Sequence, residues 1–259
     1  MQPSRARLLA VAMLMMASGA GACGGDLGLG SDVLWTAGFE GGTLDEWTDA
    51  PGGAAGISTS AFGTVTVSSD HAHGGQFAAK LSIDPASGDN AGFSRKGTLP
   101  VQAYYSAWYY VPRTVDVGGF WVILKFRRRD VIDDPSTEGE LFDVGLANDA
   151  NGEMTLRLYD HRVDATIPLR VAGLIVPVGV WFQVEAYYRN APDSTGMLQV
   201  WFNGEAVADV RGVMTSSTAW IEWDVLNLGQ SLTSGAATLY VDDCAISQER
   251  VGPTGHVRD

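Results

Sequence analysis

From residue 33 onward the chain runs as short segments in which apolar and polar residues alternate, separated by clusters of Gly, Asp, Asn, Ser and Pro. Alternation puts every second side chain on one face, as in a half-buried strand, and no stretch keeps a helical period. The pattern predicts strands over residues 33–39, 64–68, 77–83, 91–98, 103–111, 120–128, 140–147, 153–160, 181–188, 197–202, 205–210, 221–228 and 237–247. Such a run, with no internal repeat and no linker, predicts one all-β domain over 33–247, a two-sheet antiparallel β-sandwich. The sharpest local signal is Phe202-Asn203-Gly204-Glu205. Asn and Gly tolerate the positive φ of a type I′ turn, so the segments either side of Asn203-Gly204 should form a hairpin.

Alternation also assigns faces. In residues 120–129, Val122, Leu124 and Phe126 are expected in the core, with Trp121, Ile123, Lys125, Arg127 and Arg129 facing outward. In residues 153–161, Met154, Leu156 and Leu158 should point inward, and Arg157, Tyr159 and His161 outward. In residues 181–188 the inward set is Phe182, Val184 and Ala186, and the outward set is Trp181, Gln183, Glu185 and Tyr187. If these strands adjoin, one sheet face carries Lys125, Arg127, Arg129, Arg157, Tyr159, His161, Gln183, Glu185 and Tyr187. Planar rings stack on sugars and Arg forks pair with hydroxyls or carboxylates, so the face reads as a carbohydrate site.

Charge narrows the ligand. The 259 residues hold 30 Asp and Glu against 17 Lys and Arg, a formal net charge of −13. A nucleic-acid binder usually carries a basic excess, so no nucleic-acid partner is expected. The few basic residues gather in or near the outward-facing strands above, which makes an acidic polysaccharide the favoured partner. Hydrophobic residues at 46% suffice for a core, and 2 cysteines are too few for a disulfide scaffold.

Residues 1–22 read as an export signal. Arg5 and Arg7 precede an apolar stretch too short to span a bilayer as a mature helix, followed by small residues. Cys23 directly follows Ala20-Gly21-Ala22, which resembles the lipobox of bacterial lipoproteins, whose cysteine is lipidated; Ala20 stands where Leu is usual. Ordinary signal cleavage fits the same residues. The expectation is a lipoprotein of the outer membrane or cell surface, anchored to the membrane through Cys23 on a flexible 23–32 tether, or otherwise a secreted protein. Cys244 lies in an apolar strand and reads as a core residue. Residues 248–259 read as a polar tail.

The order of several motifs resembles the concanavalin A-like jelly rolls. These are Gly38-Phe39-Glu40-Gly41-Gly42 with Trp47, His73-Gly74-Gly75-Gln76-Phe77-Ala78, the aromatic strand Tyr104 to Tyr110, Trp181-Phe182-Gln183-Val184-Glu185, Leu198 to Gly204, and Tyr240-Val241-Asp242-Asp243. The superfamily includes laminin-G-like domains, laminarinase-like glycosidases, carbohydrate-binding modules and polysaccharide lyases. The resemblance implies a structural calcium ion (Ca2+) held by Glu40, Asp242 and main-chain oxygen near His73 to Gly75. Calcium takes about six to eight hard oxygen ligands, and such a set supplies them.

Catalysis is less well supported by the sequence. Laminarinase-like enzymes place Glu-x-Asp-x-Glu or Glu-x-Asp-x-x-Glu on one strand. Glu140-Leu141-Phe142-Asp143 has the wrong spacing, and Glu222-Trp223-Asp224 is followed by Asn227 where the last acid should stand. The related lyases use a Tyr, usually with His or Gln, to remove the proton beside a uronate carboxylate that Arg or Asn neutralises. His161, Tyr159 and Tyr187 are the candidates, with Arg127 or Arg157 as neutraliser. The late Tyr-x-Lys-x-Gly-x-Tyr pattern of those lyases is absent, since residues 224–230 read Asp-Val-Leu-Asn-Leu-Gly-Gln. The sequence therefore favours a non-catalytic, carbohydrate-binding lipoprotein. The alternatives are a lyase cleaving a uronate-containing glycan by β-elimination and a structural, protein-binding surface protein.

Overall fold

The computed structural model describes residues 32–48, 53–84, 89–97, 99–232 and 237–254, so the expected signal, Cys23 and most of its tether lie outside the described residues. The strands are, in chain order, β1 (Val33–Ala37), β2 (Gly53–Thr59), β3 (Thr64–Ser68), β4 (Ala78–Ile83), β5 (Asp89–Gly97), β6 (Gln102–Tyr110), β7 (Val117–Arg129), β8 (Glu138–Asn148), β9 (Met154–Asp160), β10 (Ala165–Ile167), β11 (Phe182–Arg189), β12 (Gly196–Phe202), β13 (Glu205–Val213), β14 (Ile221–Leu232) and β15 (Ala237–Ser247). They form two antiparallel sheets, as the alternation predicts. The first has the order β13-β12-β11-β6-β15-β4-β3, with β1 also on β15. The second has the order β10-β9-β8-β7-β14-β5-β2. The β12–β13 hairpin turns on Asn203 and Gly204 at φ 46° and 82°, the left-handed pair expected of this turn.

The inner faces meet in a core of aromatic rings. Tyr105 of the first sheet packs edge-on against Phe126 of the second at 5.2 Å, and Phe126 stacks on Tyr188 at 4.6 Å. Each ring buried here contributes roughly 1.5–3 kcal/mol. Buried polar groups also join the layers. Buried Asn227 accepts from Trp121 Nε1 at 2.8 Å and donates to the carbonyls of Leu81 and Ala237 at 3.0 and 3.1 Å. The position that lacks the glycosidase acid is thus a cross-sheet tie. Cys244 is buried in the core, as read from its strand.

The structure corrects the sequence reading in four places. β2 and β10 escaped the pattern because β2 is built of small residues and β10 is only three residues long. A single helical turn, Asp45–Thr48, likewise gives no periodic signal, yet buries Trp47. The face assignment along β7 changes phase. The β7–β8 register shifts between Val122 and Leu124, so Trp121 and Ile123 join Leu124 and Phe126 in the core while Val122 lines the outer face. A bulge of this kind adds one residue and flips everything beyond it. Finally, residues 248–254, read as part of a tail, lie on the first sheet: Val251 N donates to Glu185 Oε1 at 2.7 Å and Gln183 Nε2 to the Gly252 carbonyl at 2.9 Å.

Candidate functional site

The site lies on the face of the second sheet turned away from the core. Register, set by the hydrophobic alternation, lines up its polar residues in rows across the strands. Ser94, Asp224, Lys125, Asp143 and Tyr159 are successive partners on β5, β14, β7, β8 and β9, and Lys96, Glu222, Arg127 and Glu140 form the next row. Glu140 and Asp143 share this face despite being three apart, because the ladder skips Leu141: Phe126 pairs with Phe142 and Arg127 with Glu140. Both Leu141 and Phe142 sit in the core. Alternation alone cannot reveal this pair. Gly145, opposite Arg157, keeps the floor low; a Cβ there would meet the Trp121 carbonyl oxygen at 2.6 Å.

Two adjoining cavities result. One, of about 440 Å³, is lined by Phe120, Val122, Lys125, Glu140, Asp143, Arg157, Tyr159 and His161 among others. The other, of about 640 Å³, runs over β14, β5 and β2 and shares Lys125, Glu140 and Leu228 with the first. Together they make one cleft across the sheet.

Its charges form a network. The Lys125 ammonium, only 6% exposed, hydrogen-bonds Glu140 Oε1 and lies 3.7 Å from Asp143 Oδ1. His161 sits between the same carboxylates, with Nε2 2.8 Å from Asp143 Oδ2 and Nδ1 3.4 Å from Glu140 Oε2. Burial raises the Asp143 carboxyl despite Lys125 and His161. Burial also works against the Glu140 charge, but there the Lys125 hydrogen bond and charge prevail and hold the carboxyl below its ordinary value. Glu140, Asp143 and His161 each bring a ligand atom within 4.8 Å of the others, a spacing that could hold a metal. Lys125 already supplies a cation to that cluster.

At the other wall the Tyr159 hydroxyl donates to Asp164, and this bond raises the phenol above its usual value. The Arg157 guanidinium lies 5.0 Å over the Tyr159 ring and makes no ion pair among the described residues. In the second cavity Asp224 is pushed well above the carboxylate range by burial and then by the neighbouring Glu222 charge.

Six of the expected face residues belong to the second sheet, but only four of them line the first cavity: Lys125, Arg157, Tyr159 and His161. Arg127 lines the second, 3.7 Å from Glu138 and 3.8 Å from Glu222. Arg129 lines neither cavity; it bonds Glu138 and stacks on Trp220 at 4.4 Å. Gln183, Glu185 and Tyr187 do not join the face at all, because β11 pairs with β6 and β12 in the other sheet. Gln183 and Glu185 are buried under residues 250–252, and Tyr187 donates to Gln102 at 3.1 Å. Sequence reasoning missed Glu140, Asp143 and Asp224 as members of this site, having weighed the acids only as glycosidase motifs.

No protein-family model and no curated protein matches this sequence. Solved structures do match in three dimensions. An endo-β-1,4-glucuronan lyase from the fungus Trichoderma reesei aligns with a TM-score of 0.61 at 16% identity, covering 83% of this chain and 95% of that one. The fold is shared with polysaccharide lyases. A variant of alginate lyase Aly36B in complex with alginate trisaccharide follows at 0.57 and 13% identity, covering 83% and 98%. An alginate lyase from a Chlorella virus gives 0.52 and 15%, covering 84% and 100%. These neighbours share the jelly-roll sandwich fold.

The expected calcium ligands lie elsewhere, around loop 73–77. Glu40 accepts from the amides of Gln76 and Phe77 at 2.9–3.0 Å. Asp242 accepts from His73, Gly74 and Asp243 at 2.8–3.2 Å. The loop thus turns amide hydrogens toward these carboxylates. Each carboxylate accepts three contacts and has about four lone-pair sites, so roughly one site on each is left for a cation. Asp242 is fully buried, and burial together with Asp243 pushes its carboxyl up to about 8. The donors are hard oxygens of the type calcium takes.

Proposed function

We propose that this cleft binds a uronate-containing polysaccharide and cleaves it by β-elimination. The observation that carries the reading is the meeting of His161, Tyr159, Lys125 and Arg157 around one cavity, with Arg157 free of ion pairs among the described residues. His161 Nε2 lies 2.8 Å from Asp143 Oδ2, and in the tautomer this role requires Nε2–H donates to that carboxylate and Nδ1 is the base for the proton at C5 of a uronate. Arg157 and Lys125 neutralise the carboxylate beside that carbon, which makes the proton more acidic. As the C4=C5 double bond forms, the C4–O4 bond breaks and the Tyr159 hydroxyl gives its proton to the departing oxygen. The bond to Asp164 favours the protonated phenol that this role needs.

The neighbours' activities on glucuronan and alginate support a uronate substrate for this fold. A second reading, binding without cleavage, is favoured by the same network, since both nitrogens of His161 face carboxylates. The test incubates the purified domain with uronate polymers and follows ultraviolet absorbance of the unsaturated product, with retention in polymer-containing gels measured in parallel. Retention without product selects the second reading.

We also propose a lipid anchor and a structural calcium ion. The Ala20-Gly21-Ala22-Cys23 segment supports a lipid-anchored, exported protein, and Cys23→Ala should release it from the membrane fraction. Calcium at Glu40 and Asp242 would act on stability and take no part in the elimination.

A further inference from the structure

The carboxylates that hold this fold together are fastened by backbone amides. Glu46 takes Gly38 N and Phe39 N, Glu40 takes Gln76 N and Phe77 N, and Glu185 takes Val251 N and Gly252 N. Glu140 differs. Among the described residues its partners are two side chains, Lys125 at Oε1 and His161 at Oε2, and its own side chain is 40% exposed while that of Lys125 is 6% exposed. It lies where the two halves of the cleft join, since both cavities are lined by Lys125 and Glu140. A half-exposed carboxylate with no backbone anchor among its hydrogen bonds therefore sits on a buried ammonium and covers the nitrogen of His161 that faces the cleft.

We infer that Glu140 is an internal anion occupying the substrate-carboxylate position, and that a uronate binds by displacing it from Lys125. The inference rests on the uronate reading of the cleft given above. A uronate carboxylate has the same charge and the same planar pair of oxygens as Glu140, so it can take over the Lys125 hydrogen bond without leaving the buried ammonium unpaired. Displacement of Glu140 also uncovers His161 Nδ1, so the base becomes accessible only when an acidic sugar is in place. A neutral sugar offers nothing to exchange, and Glu140 stays. Specificity then comes from competition with a built-in rival as much as from attraction.

The experiment is a calorimetric titration with a glucuronic-acid tetramer and with its methyl ester. It is run in a Tyr159→Phe background, which removes the proposed proton donor without touching Glu140. Removing the rival charge with Glu140→Gln should tighten binding of the acid roughly ten- to a hundredfold, the equivalent of one charge-assisted hydrogen bond, and leave the ester unchanged. Glu140→Asp, withdrawn from Lys125 by one methylene, should shift binding in the same direction by less, and serves if the Gln variant does not fold. Equal or weaker binding of the acid by a folded Glu140→Gln protein, with the wild type binding it, overturns the inference and leaves the proposed function standing. No binding of the acid by any of the proteins overturns both.

Discussion

Asp143 aims His161. Its Oδ2 lies 2.8 Å from His161 Nε2, on a strand whose bulge at Leu141 brings Glu140 to the same imidazole at Nδ1. The consequence is one ring nitrogen fixed as a donor and the other turned toward the cleft. Asp143→Asn keeps the shape of the pair but no longer holds the tautomer. It should lower kcat by roughly a hundredfold or more while changing KM little, as steady-state kinetics on a uronate polymer would show.

Arg157 lines the first cavity and has no carboxylate of its own among the described residues, so its effect should fall on binding. Arg157→Ala should raise KM for a uronate polymer roughly ten- to a hundredfold, the loss of one charge-assisted contact. Arg157→Lys should recover only part of this, because an ammonium cannot reproduce the fork. An unchanged KM would remove Arg157 from substrate recognition.

Tyr159 provides a pH test. Its phenol is raised above the ordinary value by the bond to Asp164, and the proposed reaction needs the protonated form. Activity is therefore lost as pH rises through the raised pKa. Asp164→Asn removes the carboxylate that raises it, so the alkaline limb of the kcat profile should move to lower pH. Movement to higher pH, or none, contradicts the assigned role.

Asn227 tests the fold. Replacing it by Leu orphans the Trp121 indole N–H and takes a donor from the carbonyls of Leu81 and Ala237, all in the core. Each buried group left without its partner costs about 1–3 kcal/mol, so the denaturation midpoint should fall clearly. A smaller fall in unfolding temperature is expected when EDTA is added to the calcium-loaded domain, and no shift on chelation would remove the ion from Glu40 and Asp242.

Much of this was legible in the sequence because alternation is a local property. The inward rows Met154, Leu156, Leu158 and Phe182, Val184, Ala186 lie in the core as read, and Arg157, Tyr159 and His161 share one face. What failed was what alternation does not encode. Sheet membership depends on long-range pairing, so nothing local showed that Tyr187 belongs to the opposite sheet. Bulges are single extra residues with no pattern of their own. The one past Val122 moved Trp121 and Ile123 inward, and the one at Leu141 delivered Glu140 and Asp143 together to the cleft. The acidic pair that organises the candidate site is thus the product of one irregularity that a regular strand reading passes over.

The most direct measurement is the product assay itself. Incubation of the purified domain with glucuronan, alginate and a neutral glucan, followed by ultraviolet absorbance, should give unsaturated product from at least one uronate polymer, none from the glucan, and none from any polymer with His161→Ala. Absence of product from every uronate polymer, or product undiminished by His161→Ala, would contradict the account.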